Sequence, residues 1–185
     1  MTAKVRKRFG LEGPFVLQVG AFEPRRGVAL AIRAVQALRA EIGDVELVLV
    51  GDTRAPIAGL DALPGFVRRL GRLSDQDLAA LYGAASVVVA PSLGEGFDLP
   101  VLEALACGGV VVTSNIPVHV EHFTGAVEFF DSGDAESLTN SCLRVLTDTV
   151  RNASLREQGL RRASKFSWRA CARRHLELWQ RIVGA

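Results

Sequence analysis

The sequence predicts an α/β fold in which a parallel β-sheet is covered by helices on both faces. Short runs rich in β-branched residues alternate with longer segments of helical periodicity along the 185 residues of the chain. The strand-like runs are apolar at consecutive positions, not at every second position. Strands that are apolar on both sides are typical of a sheet buried on both faces, as parallel sheets are.

The strands and helices are predicted in strict alternation through most of the chain. The predicted strands are Phe15–Val19, Glu46–Val50, 66–70, Val87–Ala90, 110–113 and 126–130. The predicted helices are 28–40, Asp75–Ala84, 100–107, Ala135–Thr147, 154–165 and Trp168–Val183. Ser74 and Ser167 each stand directly before a helical segment, where a serine side chain caps the first free backbone N–H groups. We expect Trp168 and Trp179 to anchor the last helix by packing.

The composition is that of one ordinary globular domain. A hydrophobic content of 49% is enough for a full core, and a formal net charge of +2 argues against a dedicated nucleic-acid binder. The basic residues concentrate in the last segment, and they are Arg156, Arg161, Arg162, Lys165, Arg169, Arg173, Arg174 and Arg181. We interpret them as the solvated face of terminal helices, so that any membrane contact would be peripheral.

Cysteine usage and hydropathy predict a cytoplasmic protein, at the inner face of the membrane at most. Cys107, Cys142 and Cys171 are odd in number and lie in apolar helical contexts, which favours reduced thiols in the core. No segment approaches the ~18 apolar residues that a membrane span needs, and the first residues lack the apolar core of a signal peptide.

Three loops are expected to form the ligand site. In parallel sheets ligands bind beyond the carboxyl ends of the strands, which places residues 20–27, 71–75 and 91–99 together. Neither G-x-G-x-x-G nor a P-loop follows the first strand. A phosphate would therefore be held by Arg25 or Arg26, whose guanidinium groups suit diphosphate oxygens, and by the helix start at 97–99.

The stretch 91–108 carries the strongest functional signal. Glu95 lies in a turn between Gly94 and Gly96, and Glu103 lies just inside the helix that opens near Pro100. The first N–H groups of that helix are free to donate to a phosphate, while carboxylates accept from sugar or ribose hydroxyls. The pattern predicts a nucleotide-sugar site.

The histidines and aspartates predict neither a catalytic triad nor a metal site. His119 and His122 have no accompanying serine or cysteine motif, so we expect them to line a loop beside the site or to face solvent, with Glu121 as a loop anchor. The D-x-D at Asp75 and Asp77 stands at a helix start, where acids are favoured anyway.

Four segments resemble a known family. They are 19–27, 69–82, 91–108 and 114–117 with Glu121, and together with the final helix they span nearly the whole chain. The third segment contains the spacing E-x₇-E. The chain resembles the C-terminal, donor-binding domain of the retaining glycosyltransferases of family four, which have the two-domain GT-B fold with a Rossmann-like parallel sheet in each half.

The resemblance implies a role for each site residue. Glu95 would contact the transferred sugar near its anomeric carbon, and Glu103 would hold the ribose hydroxyls. The residues implied at the donor sugar and diphosphate are Gly20, Arg25, Arg26, Gly96, Phe97, Asp98 and Leu99, and those implied at the nucleobase are Arg72 and Leu73.

The sequence departs from the family at three of its donor-binding positions. Ala21 stands where an arginine is common, Arg26 where a lysine is usual, and Asp98 where glycine is frequent. As an N-cap, Asp98 would stabilise its helix by ~1 kcal/mol. We expect its side chain to turn away from the diphosphate.

The resemblance implies half of a hexosyltransferase. Residues 1–14 would be a linker remnant and lead-in, and residues 15–185 the nucleotide-sugar-binding domain. The acceptor-binding N-terminal domain would be missing, so the chain would be an excised domain or one subunit of a split enzyme. The expected reaction moves a hexosyl unit, with mannosyl as one candidate, from GDP-mannose or a UDP-sugar to an acceptor hydroxyl, without a cofactor. The alternatives are a non-catalytic nucleotide- or partner-binding module and an epimerase or phosphorylase of the same fold superfamily.

Overall fold

The protein contains a six-stranded parallel sheet. A computed structural model describes residues 2–52 and 62–184. The strands are β1 (Phe15–Val19), β2 (Glu46–Val50), β3 (Val67–Leu70), β4 (Val87–Ala90), β5 (Val111–Ser114) and β6 (Glu128–Phe130). They lie in the order β3-β2-β1-β4-β5-β6, and every neighbouring pair is parallel. The predicted α/β fold with a parallel sheet is confirmed.

Helices lie on both faces of this sheet. They are α1 (Thr2–Phe9), α2 (Val28–Ile42), α3 (Asp75–Ala84), α4 (Leu99–Ala106), α5 (Pro117–Phe123), α6 (Ala135–Thr147), α7 (Thr149–Ala163) and α8 (Trp168–Val183). The predicted caps are present: Ser74 accepts a hydrogen bond from the backbone N–H of Asp77, and Ser167 accepts one from that of Ala170.

Two hydrophobic clusters separate on the two faces because neighbouring residues of a strand point in opposite directions. Val16 of β1 packs in the cluster formed with α2 and α6, whereas Leu17 packs in the cluster formed with α3 and α4. All of β1 except Val19 is buried. The consecutive apolar residues of the strands therefore fill two cores.

Two helices fall where none was predicted. Residues 2–9, expected as a linker remnant, form α1, which packs against α3 with Val5 buried. Residues 117–123, expected as a loop, form α5, which has Pro117 in its first turn. Proline suits that position because it lacks the N–H that would be unpaired there. Helix α7 also begins earlier than predicted, because Asp148 caps it through the N–H of Arg151.

Helix α8 corrects two further predictions. Its tryptophans do not anchor it within the chain, because Trp168 is 76% and Trp179 59% exposed and no residue of α8 is buried. Cys171, on the same helix, is exposed, whereas Cys142 is buried and Cys107 partly so. An amphipathic pattern predicts an apolar face but not what covers it. Within residues 2–52 and 62–184, no helix is long and apolar enough to cross a membrane.

Candidate functional site

The loops after the two central strands, β1 and β4, meet at the carboxyl edge of the sheet. The backbone N–H of Leu93, in the loop after β4, donates to the carbonyl of Arg25, in the loop after β1, at 2.8 Å. Gly27 makes this approach possible. Its φ is 66°, and a Cβ at this position would lie 2.2 Å from the carbonyl oxygen of Pro91. Side chains from both loops are thereby brought to one place, as the sequence predicted.

Glu95 lies between the two arginines of the first loop. Nη1 of Arg25 is 3.1 Å from its Oε2, and Nη1 of Arg26 is 2.8 Å from its Oε1. The Glu95 side chain is only 6% exposed. The hydrogen bond and negative charge of Glu95 raise the pKa of the Arg25 guanidinium above its usual value. The Glu95 side chain is thus paired with two guanidinium groups and almost wholly enclosed.

Arg26 contacts two carboxylates at once. Its Nη1 donates a hydrogen bond to Oδ1 of Asp98 at 3.1 Å. Oε1 of Glu95 is closer to the same nitrogen but accepts no hydrogen bond from any residue that the structure describes. The Arg26 guanidinium lies against Gly20, and the Arg26 carbonyl accepts from the side-chain amide of Gln18 at 2.8 Å.

Asp98 adopts an unusual conformation for a non-glycine residue. With φ 70° it is the one non-glycine residue of positive φ in the described ranges. It occupies the N-cap position of α4, yet its side chain makes no capping hydrogen bond, so the predicted cap is wrong. The physical reason is that both carboxylate oxygens have other partners, Arg26 and His119.

His119 is a site residue that the sequence analysis missed. The sequence predicted that His119 would lie in a loop or face solvent. It instead lies in α5 and is fully buried. Its Nε2 is 3.1 Å from Oδ2 of Asp98, and its Nδ1 is 2.7 Å from Oγ1 of Thr113. A signal was available: Pro117 favours a helix start, and on that helix His119 and Phe123 stand four residues apart on one buried face.

The start of α4 is held by aromatic packing. The ring of Phe97 contacts those of His122, Phe123 and Phe166, with ring centroids 5.0, 5.8 and 5.4 Å away. This places the Phe97 side chain in packing, which leaves its backbone for the predicted phosphate contact. Leu99, the first residue of α4, is exposed. Gly96 is exposed in the turn before it.

Glu103 is oriented from α3. Its Oε2 accepts a hydrogen bond from the hydroxyl of Tyr82 at 3.1 Å. Burial, and then the charge of Glu103, raise the pKa of the Tyr82 phenol far above its usual value, so this hydroxyl remains a donor. Glu103 is otherwise exposed.

The predicted nucleobase residues lie in the loop between β3 and α3. Arg72 is exposed, and Leu73 packs partly against the core. No group of three or more His, Cys, Asp or Glu residues within the described part of the chain is arranged to hold a metal ion.

The fold and this pair of central loops define the class of protein: a Rossmann-like α/β domain of the kind that GT-B glycosyltransferases contain. The sucrose-phosphate synthase from Thermosynechococcus elongatus superposes with a TM-score of 0.81 at 30% identity, over 98% of this chain and 49% of that one. The chain belongs to the family Glycosyl transferases group 1, whose model matches residues 13–148.

Relatives in this family include named mannosyltransferases. The chain is 34% identical to the O-antigen chain mannosyltransferase B of Escherichia coli, over 85% of this chain and 43% of that protein. It is 35% identical to the MMP alpha-(1->4)-mannosyltransferase of Mycolicibacterium hassiacum, over 86% of this chain and 41% of the relative. The chain thus spans less than half the length of these two relatives.

Proposed function

We propose that this chain binds a nucleotide diphosphate sugar and supplies the donor half of a retaining hexosyltransferase. The observation that carries the proposal is Glu95. A carboxylate that is 6% exposed, set between two arginines at the carboxyl edge of the sheet, has one buried oxygen that accepts no hydrogen bond from the described residues. Such an oxygen is suited to a sugar hydroxyl, which would complete its hydrogen bonding.

The diphosphate would lie between the arginines and the start of α4. Arg25 is half exposed and can turn one N–H face outward, while Arg26 is more enclosed. Pro100 has no N–H and that of Val101 already donates to the Asp98 carbonyl, so the donors at the positive end of the α4 dipole are the backbone N–H groups of residues 97–99. Fixed donors of this kind stabilise the charge that develops on a departing diphosphate.

The nucleoside would extend toward α3. Glu103, with Tyr82 fixing one of its oxygens, offers the other to the ribose hydroxyls. Arg72 and Leu73 would form a wall beside the base. In this arrangement Glu95 positions the sugar, and the acceptor hydroxyl attacks from the face that the diphosphate leaves, which retains the anomeric configuration.

A mannosyl unit is the sugar that we favour, with GDP-mannose or a UDP-sugar as donor and no further cofactor. The support is that several relatives carry the name mannosyltransferase. Cytoplasmic location stays a prediction of the sequence.

Transfer would require a second, acceptor-binding half, either another domain or a partner subunit. Two observations support this part of the proposal. The chain spans about half of the glycosyltransferase structure that it superposes on. Helix α8 carries exposed apolar side chains, namely Trp168, Leu176, Trp179, Ile182 and Val183. An apolar face of this size suits a packed interface with that half.

Calorimetry tests the donor site. We expect GDP or UDP to bind the chain with modest affinity, because an open site leaves its ligand hydrated. Glu103→Ala should weaken binding by about tenfold or more, the worth of a hydrogen bond to a charged group. Glu136→Ala, at an exposed glutamate in the first turn of α6, is the matched control and should bind as the native chain does. If no nucleoside diphosphate binds the native chain, the proposal is wrong.

A further inference from the structure

Arg26 is shared unequally between two carboxylates. Oε1 of Glu95 is 2.8 Å from its Nη1 and Oδ1 of Asp98 is 3.1 Å away, yet the hydrogen bond goes to the more distant Asp98. The N–H direction, not the distance, decides which oxygen accepts. Nη1 carries two hydrogens, and the hydrogen bond to Asp98 fixes the guanidinium in an orientation in which neither of them is directed at Oε1 of Glu95.

The common reasons for an aspartate at a helix start do not apply to Asp98. Its side chain does not cap α4. Its left-handed backbone suits glycine better than any other residue, so an aspartate is held there against a conformational cost. Its side chain is 1% exposed, so it is not a solvated surface charge. What remains is its contact with Arg26 and His119.

We propose that Asp98 is a positioning residue that makes the site select the nucleotide sugar over the free nucleoside diphosphate. By fixing the orientation of the Arg26 guanidinium, it leaves the buried Oε1 of Glu95 without a hydrogen-bond donor among the described residues, so that a hydroxyl of the bound sugar can supply one. This inference rests on the proposed function, since it assumes that Glu95 faces the sugar and Arg26 the diphosphate.

His119 keeps Asp98 in place. Oδ2 of Asp98 is an acceptor, so Nε2 of His119 carries a hydrogen and donates to it. On the other side of the ring, Nδ1 is 3.0 Å from the carbonyl of Ser114 and 2.7 Å from Oγ1 of Thr113, both in β5. The imidazole thus fixes the carboxylate to a strand of the sheet.

Removing Asp98 should have opposite effects on the two parts of the ligand. In Asp98→Gly the Arg26 guanidinium can rotate and direct an Nη1 hydrogen at Oε1 of Glu95, which occupies the oxygen that the sugar needs. The same change removes a negative charge beside the diphosphate-binding arginine, which favours the diphosphate. Loss of packing alone would weaken both ligands by the same factor.

The experiment compares the dissociation constants of a nucleoside diphosphate and of the matching nucleotide sugar, measured by calorimetry on the native chain and on Asp98→Gly. In the native chain we expect the nucleotide sugar to bind more tightly than the nucleoside diphosphate. In Asp98→Gly the ratio of the two dissociation constants, which is the gain from the sugar, should fall by about tenfold, the contribution of one hydrogen bond to a carboxylate. The affinity for the nucleoside diphosphate should stay equal or rise. Glycine tolerates the backbone at this position, so the variant should fold.

Asp98→Asn is the conservative variant. Its side-chain oxygen can still accept from Arg26, and its amide donates to His119, which must then carry its hydrogen on Nδ1. We expect the gain from the sugar to stay within about threefold of native. The ¹⁵N shifts of the His119 ring should report the loss of the hydrogen from Nε2. Asp44→Gly and Asp44→Asn are controls, because Asp44 is exposed and precedes β2 at the opposite edge of the sheet.

The outcomes separate the two claims. If the native chain binds no nucleoside diphosphate, the proposed function fails. If it binds the diphosphate and the sugar adds nothing, or if Asp98→Gly lowers both affinities alike, the role of Asp98 is wrong while the donor site stands.

Discussion

The hydroxyl of Tyr82 donates to Oε2 of Glu103 across the contact between α3 and α4, at 3.1 Å, although the tyrosine is otherwise fully buried. A buried tyrosine usually has a partner for its hydroxyl. Here the partner is the carboxylate of Glu103, an exposed residue of α4. A residue of the buried core thereby orients Glu103, the residue proposed to hold the ribose.

Tyr82→Phe should weaken nucleotide binding while leaving the ring packing in place. We expect about a three- to tenfold loss of affinity for GDP or UDP, because Glu103 loses the donor that orients it. A 2′,3′-dideoxy nucleotide serves as the comparison ligand in calorimetry, since it has no ribose hydroxyls at those positions. An equal loss for both ligands would show that Tyr82 does not act through Glu103.

Gly27→Ala should destabilise the fold. The alanine Cβ would lie 2.2 Å from the carbonyl oxygen of Pro91, and the left-handed backbone would be strained as well. We expect a loss of about 2 kcal/mol or more in the free energy of unfolding, measured with urea. Gly65→Ala is the control, because nothing lies within 4 Å of its added Cβ. Equal stability of the two variants would mean that the two central loops separate freely.

Glu128→Gln should cost more stability than Glu157→Gln. Glu128 is buried at the start of β6 and pairs with both Arg144 and Arg151. Because those arginines are about half exposed, the variant leaves no enclosed charge, and we expect a loss of about 1–2 kcal/mol. Glu157 pairs with Arg161 on the surface of α7, where such a pair contributes about 0.5 kcal/mol or less. Urea denaturation of both variants measures the difference, and a larger effect at Glu157 would contradict it.

The cysteines should differ in reactivity. Burial raises the pKa of Cys142 from its usual value of 9.0 to about 12, and it raises that of Cys107 as well. Cys171 is exposed. At pH 8 a thiol-specific disulfide reagent should therefore label Cys171 first, because the thiolate is the reactive form. Mass spectrometry identifies the site, and Cys171→Ser should abolish the fast phase. Fast labelling at Cys142 in the folded chain would be inconsistent with its burial.

The raised pKa of Cys142 predicts that the stability of the fold depends on pH. A thiol whose pKa is higher in the folded state contributes stability that is fully present below about pH 9 and is lost as the pH rises toward about 12. The advantage of the native chain over Cys142→Ala in urea denaturation should therefore shrink between pH 8 and pH 10. An advantage that grows with pH would contradict the direction of the shift.

The sequence was sufficient where local pattern and sheet geometry decide the outcome. The apolar strands, the cap at Ser74 and the approach of Glu95 to Arg26 all follow from periodicity or from the rule that loops gather at the carboxyl edge. The contact of Asp98 with His119 depends on a left-handed backbone and on a helix marked by little more than Pro117. The exposure of Trp168 depends on what lies beside α8, and no local pattern encodes that.

The order of the strands has a mechanical consequence. Strands β1 and β4 adjoin in the middle of the sheet, where the chain reverses its winding, and their register pairs Val16 with Val87 and Leu17 with Val88. The neighbouring register of β1 with β2 is longer, running from Phe15 to Val19. Arg26 follows β1 and Glu95 follows β4. A ligand held by both residues would therefore link the two strands beyond their short pairing. Such a ligand would hold the two halves of the sheet together, and the free energy of unfolding would rise with the concentration of the ligand.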